Sequence, residues 1–158
     1  MTDLAGLLTA LAAHGVRFIV VGGMAGIAHG SARVTFDLDC VYARDPDNIA
    51  RLAAAIAPFH PTLRNAPAGL PFRFDEPTIA AGLNFTLDTS VGPIDFLGDI
   101  AGGGRYEALL SDSIELHVFG RSCRVVTLQR LIALKRAAGR PKDLEAIAEL
   151  EAIEEERR

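Results

Sequence analysis

Apolar residues at Leu4, Leu7, Leu8, Leu11 and Ala12 recur at helical spacing and stop at His14-Gly15. The pattern predicts a helix over 4–14, closed by a glycine in the left-handed region. Val16 to Val21 is dense in β-branched residues, is too short for a helix and runs straight into Gly22-Gly23. It reads as a strand ending in a glycine turn. Met24 to His29 reads as a short helix closed by Gly30, and Ser31 to Thr35 as a polar connection. Asp37 to Val41 alternates, which puts the carboxylates of Asp37 and Asp39 on one face of a strand. Asp45-Pro46-Asp47 opens a helix that runs on to Phe59. Pro61 to Pro77 carries no periodicity and reads as a loop or lid.

The second half predicts two hairpins. Leu83–Leu87 and Val91–Leu97 flank Asp88-Thr89-Ser90, and Ile114–Phe119 and Cys123–Val126 flank Gly120-Arg121. Between them lie a glycine-rich turn, 98–104, and a short helical piece, 106–110. Thr127 caps a helix over Leu128–Ala138, Gly139 stops it, and Pro141 opens a last helix to the C-terminus. No internal repeat interrupts this order. The expectation is one α/β (α+β) domain over 1–158: a mixed sheet flanked by helices within 16–126, then a C-terminal helical pair over 127–158.

Composition changes the picture in two places. Hydrophobic residues make up 49% of the chain, enough for a core without staples, and the lone cysteines Cys40 and Cys123 lie in apolar stretches. Neither a disulfide framework nor a cysteine metal site is present in that pattern, and a reducing compartment is expected. The N-terminus lacks the pattern of a secretory signal, and the longest apolar run, Leu52 to Ala57, is too short for a bilayer. A cytoplasmic protein without membrane attachment is expected. The net charge of -4 argues against a generic nucleic-acid binder. Its distribution is uneven, with seven Lys or Arg and no acid from Arg121 to Lys142, then seven acids and no base from Asp143 to Glu156. Two solvated helix faces are the plainer reading, and a basic surface serving an anionic substrate the alternative.

Asp37 and Asp39 project side by side, and two ionised carboxylates so placed repel unless a cation lies between them. Hard oxygen ligands in that arrangement suit magnesium, whose shell is completed by water and substrate phosphates. Upstream, Gly22-Gly23 stands where a strand turns into a helix, so backbone N–H groups can approach a phosphate. A third carboxylate, Asp95, lies in Pro93-Ile94-Asp95-Phe96-Leu97, an apolar setting in which aspartate needs a partner. His29 lies near this mouth, whereas His14, His60 and His117 read as caps or surface residues, and Tyr42 and Tyr106 as packing. Leu144, Ile147, Leu150 and Ile153 form an apolar stripe on the last helix, whose exposed end could serve a homodimer.

Val21-Gly22-Gly23, Arg33-Val34-Thr35-Phe36-Asp37-Leu38-Asp39 and Ile94-Asp95-Phe96 together resemble the nucleotidyltransferase superfamily related to DNA polymerase β. Arg-x-Thr-x-Asp-x-Asp, with Lys135 and Arg140-Pro141-Lys142-Asp143, is similar to the AbiEii-like toxin branch and its small bacterial relatives. The resemblance implies that Gly22, Gly23, Arg33, Thr35, Lys135 and Lys142 bind a nucleoside triphosphate such as ATP. It implies that Asp37, Asp39 and Asp95 hold Mg2+ and carry catalysis, with Asp95 the candidate base. A nucleoside monophosphate would pass to RNA (a tRNA among the candidates), to a protein or to a small molecule, and an antitoxin protein would be the partner. A module of this fold that binds nucleotide or a partner without turnover is the alternative. Met24, where many relatives place Ser, and Ala146, where an Asp is common in the toxin branch, depart from the pattern.

Overall fold

The computed structural model describes residues 3–158. Its frame is a seven-stranded mixed sheet in the order β3-β4-β5-β2-β1-β7-β6. In chain order the elements are α1 (Leu4–Ala13), β1 (Phe18–Val21), α2 (Gly22–Ala28), β2 (Leu38–Tyr42), α3 (Pro46–Ile56), β3 (Thr62–Leu63) and α4 (Glu76–Ala81). There follow β4 (Phe85–Thr89), β5 (Gly92–Leu97), α5 (Tyr106–Leu110), β6 (Ser113–Val118), β7 (Arg121–Val126), α6 (Leu128–Ala138) and α7 (Pro141–Glu156).

Local chemistry explains most of the boundaries. Asp3, Asp45, Asp75 and Thr127 each accept a backbone N–H of the first helical turn, satisfying donors that the helix itself leaves orphaned. Gly15 and Gly139 end α1 and α6 at φ +66, where a Cβ would be strained. The α6 helix spans the predicted residues, and the two hairpins form as antiparallel pairs, β4 with β5 and β6 with β7.

Three expectations are corrected. Gly22 and Gly23 are not a turn ahead of a helix at Met24; they are the first residues of α2, which starts where β1 ends. The stretch 61–77 is not uniformly irregular, because Thr62–Leu63 pairs with β4 as an edge strand and Asp75 opens α4. Leu144 leaves the predicted stripe and is 57% exposed, since the packed side of α7 runs through Asp143, Ala146, Ile147 and Leu150.

The central strands are covered on both faces. Along β2, Leu38, Cys40 and Tyr42 alternate with Asp39 and Val41, and the parallel register sets Cys40 beside Phe96 and Asp39 beside Asp95. Phe74 stacks on Phe96 at 5.7 Å between ring centres, and Tyr42 meets Phe96 edge to face, closing the aromatic side. The opposite side carries the carboxylates. Among the described residues no helix is long and apolar enough to cross a membrane.

Candidate active site

The site forms where three strands meet. Asp39 is paired in register with Val21 of β1 on one side and Asp95 of β5 on the other, so two carboxylates stand on adjacent parallel strands, pointing the same way. Asp37 lies one residue ahead of β2, two residues from Asp39 on the extended approach to the strand. At the end of β1 the chain turns at Gly22, φ +68, and a Cβ there would stand 2.3 Å from Oδ2 of Asp39. Only glycine lets the backbone come this close to the carboxylate. A Cβ on Gly23 would meet Thr35 at 3.1 Å, so the loop before the Asp pair lies over the start of α2.

A cleft of about 220 Å³ opens over these residues. Gly22, Gly23, Arg33, Thr35, Asp37, Asp39, Lys135 and Lys142 all line it, together with Arg140 and Asp143. The fold therefore brings eight of the nine expected residues to one cavity, and sets the ninth, Asp95, beside Asp39 in the sheet. The basic segment divides: Arg121 and Arg136 lie on an exposed face, whereas Lys135, Arg140 and Lys142 line the cleft. Lys135 on α6 and Arg140 in the turn before α7 both point at Asp143, at 3.6 and 2.6 Å, and the Asp143 side chain is 1% exposed. Burial acts to raise the Asp143 pKa, but hydrogen bonding and charge from Arg140 and Lys135 outweigh it and hold the group below its usual range.

Asp39 behaves differently. Burial, then the neighbouring charges of Asp95 and Asp37, push its pKa up to about 7, with Lys135 and Arg64 acting the other way. Its Oδ1 is buried and has no hydrogen-bond partner among the described residues. A buried carboxylate oxygen without a donor is costly and is suited to a cation. The hard oxygens of Asp37 and Asp39 beside the Gly22 cradle thus fit a magnesium ion.

Two residues were not legible in the sequence. Arg64, just after β3, donates from Nη2 to Oδ1 of Asp95 at 2.9 Å and to the Leu87 carbonyl at 2.7 Å, and from Nε to Asp88 at 3.3 Å. Asp95, raised by burial, is opposed in that shift by Arg64. Among the described residues no group of three or more His, Cys, Asp or Glu side chains is placed to hold a metal ion. Glu149 of α7 was also missed; it accepts from the Ser31 hydroxyl at 2.5 Å and the Ala32 N–H at 3.1 Å, tying the loop of the Asp pair to the last helix.

His29 does not reach the cleft. It is 3% exposed, donates from Nε2 to the Val126 carbonyl at 2.8 Å and accepts at Nδ1 from Arg157 at 3.2 Å. Burial lowers its pKa, so it is a neutral internal tether between α2, β7 and the end of α7. His14 caps its own helix on Ala10, while His60 and His117 lie on the surface.

No protein-family model and no curated protein matches the sequence. Solved structures do match. One is a crystal structure from Thermotoga maritima, provisionally assigned as a nucleotidyltransferase, with a TM-score of 0.57 at 14% identity over 92% of this chain and 88% of that one. The chain has a nucleotidyltransferase fold. A second match is the solution structure of the antibiotic-resistance factor ANT(2'')-Ia, whose conformational dynamics are regulated by substrate, with a TM-score of 0.54 at 13% identity over 98% of this chain and 90% of that one. The sheet order sets β5, β2 and β1 side by side and so brings Asp95 next to Asp39.

Proposed function

We propose that this chain is a magnesium-dependent nucleotidyltransferase. The reading is carried by one observation: a glycine-lined cleft in which Asp37 and Asp39 face Arg33, Lys135, Arg140 and Lys142. Four cations and four carboxylates line it; Asp143 is taken by Lys135 and Arg140 and Glu149 by the Ser31 loop, which leaves Asp37 and Asp39 for a divalent ion that arrives with a polyanion.

Gly22 and Gly23 would offer backbone N–H groups to the triphosphate, while Lys135, Lys142 and Arg33 offset its charge and Thr35 fixes the loop against α2. Asp143 holds Lys135 and Arg140 in place for that task. A magnesium ion held by Asp37 and Asp39 would supply charge stabilisation on the phosphates. Asp95 would accept the proton of the acceptor hydroxyl as its oxygen bonds to the α-phosphorus. The bond from that phosphorus to the bridging oxygen breaks, and pyrophosphate leaves. Little covalent work falls to the protein; positioning and charge do the rest.

Arg33-Val34-Thr35-Phe36-Asp37-Leu38-Asp39 and the Lys135, Arg140 and Asp143 cluster support the AbiEii-like branch. The proposal extends to a cytoplasmic toxin, with an antitoxin protein as partner and an RNA end, a protein side chain or a small molecule as acceptor. Incubation of a cell extract with each triphosphate labelled at the α- or the γ-phosphate tests the reaction. Label from the α-phosphate alone should enter an acceptor. Its absence with all four nucleotides, alongside retained triphosphate binding, would instead identify a binding module.

A further inference from the structure

The third carboxylate of the site already has a cation. Arg64 reaches Asp95 from an edge strand: its backbone N–H donates to the Thr86 carbonyl at 3.0 Å, and Thr86 is the register partner of Asp95 on β4. The guanidinium therefore crosses one strand to reach the carboxylate on the next. It is held there at three points, by Asp95, Asp88 and the Leu87 carbonyl, with its side chain 21% exposed. A planar fork engaged by three acceptors is set in place rather than sampling the surface.

The backbone around it is specialised in the same direction. His60 at φ 53 and Asn65 at φ 63 are two of the three non-glycine residues in the left-handed region among the described residues, and they bracket Thr62 to Arg64. Such conformations cost free energy and persist where the surroundings over-determine them, often at functional sites. The consequence at the carboxylates is asymmetric. Asp95 has a donor, whereas Oδ1 of Asp39 is buried with none.

We propose that Arg64 is the resident cation of this site: its guanidinium keeps Asp95 out of metal coordination, so the chain takes one divalent ion, at Asp37 and Asp39, and not two. A fixed positive charge beside Asp95 meets the electrostatic need that a second ion would otherwise meet, and repels an ion approaching that carboxylate. Asp95 remains beside Asp39 to act on the acceptor. This inference rests on the magnesium reading above, and the test separates the two.

Full-length protein stripped of metal is titrated with Mn2+ alone, with bound ions counted by electron paramagnetic resonance and affinity taken from calorimetry. Wild type should bind one Mn2+ per chain with an isolated-ion spectrum. Asp95→Asn should leave the affinity within about threefold, because it breaks no bond to the ion and removes a carboxylate that Arg64 already offsets. Arg64→Met should bind a second Mn2+ with a spin-coupled spectrum, and Arg64→Lys should bind one. Two ions in the wild type, tenfold weakening by Asp95→Asn, or one ion in a folded Arg64→Met protein overturns the role of Arg64. Should Arg64→Met fail to fold, Asp95→Asn decides alone. No Mn2+ bound to the wild type removes the metal reading itself.

Discussion

Asp39 concentrates the strain of the site in one side chain. Its folded carboxyl keeps its proton up to about pH 7, against 3.8 for an ordinary aspartate. The folded state thus binds a proton that the unfolded chain has released between those values, and this group's contribution to stability falls as pH rises from about 4 to 7. Asp37, Asp95, Lys135, Arg64 and Arg140 are the charges that face it. Asp39→Asn removes the penalty, so the metal-free variant should gain on the order of 4 kcal/mol over wild type at pH 8 and little at pH 4. Urea melts in a chelator at the two pH values measure it, and a less stable variant at pH 8 would show Asp39 to be a structural partner. Gly23 is the second residue whose identity matters for binding. A Cβ there already meets Thr35 at 3.1 Å, and valine adds two methyl groups where backbone must approach phosphate. Gly23→Val should weaken triphosphate binding far more than adenosine binding, and equal losses in calorimetric titrations would remove the phosphate assignment.

At the scale of elements, the pair α6 and α7 is held by charge as well as by its apolar contact. Asp143 opens α7 with an accepting carboxylate on the Arg140 N–H, and the same carboxylate faces Lys135 of α6. Arg136 and Glu151 pair across the same two helices. Asp143 is buried but Arg140 stays largely in solvent, so Asp143→Ala leaves only Lys135 poorly matched and should cost about 1–2 kcal/mol in urea unfolding, above the ordinary loss at an exposed ion pair. It should also loosen Lys135 and Arg140, and triphosphate affinity should fall with a flatter salt dependence. Unchanged salt dependence would show that neither cation meets the phosphates. The α7 helix is tied further by Glu149 to Ser31 and Ala32, and by Arg157 to the carbonyl and ring of His29. The last helix thereby carries the loop that leads into the two aspartates.

For the whole molecule, ligand binding and folding are linked, because the three strands that carry Val21, Asp39 and Asp95 meet only in the folded sheet. A ligand bound only by the native state stabilises it by RT ln(1 + [L]/Kd), about 2.7 kcal/mol at a hundredfold excess over Kd. Magnesium with triphosphate should therefore raise the melting temperature of the wild type, and Asp37→Asn and Asp39→Asn should each abolish most of that rise. Thermal melts with and without ligand report it. An intact shift in both variants would place the ligand elsewhere on the molecule.

The carboxylate pair, the paired glycines and the elements that carry them were readable along the chain, since alternation, glycine freedom and helix caps are properties of a few adjacent residues. Asp95 stood out for a similar reason, as an acid among apolar strand positions. Even there the sequence left the start of α2 and the edge strand β3 unresolved, because a two-residue strand exists only through its partner. The pairing of Arg64 with Asp95, 31 residues apart, has no local pattern behind it. Nor does the burial of His29 against Val126 and Arg157, at separations of 97 and 128 residues, which turns a candidate site residue into a tether. Hydrogen bonds and ion pairs of this kind depend on which strands become neighbours, and sheet order is set by the burial of the whole core rather than by any one segment.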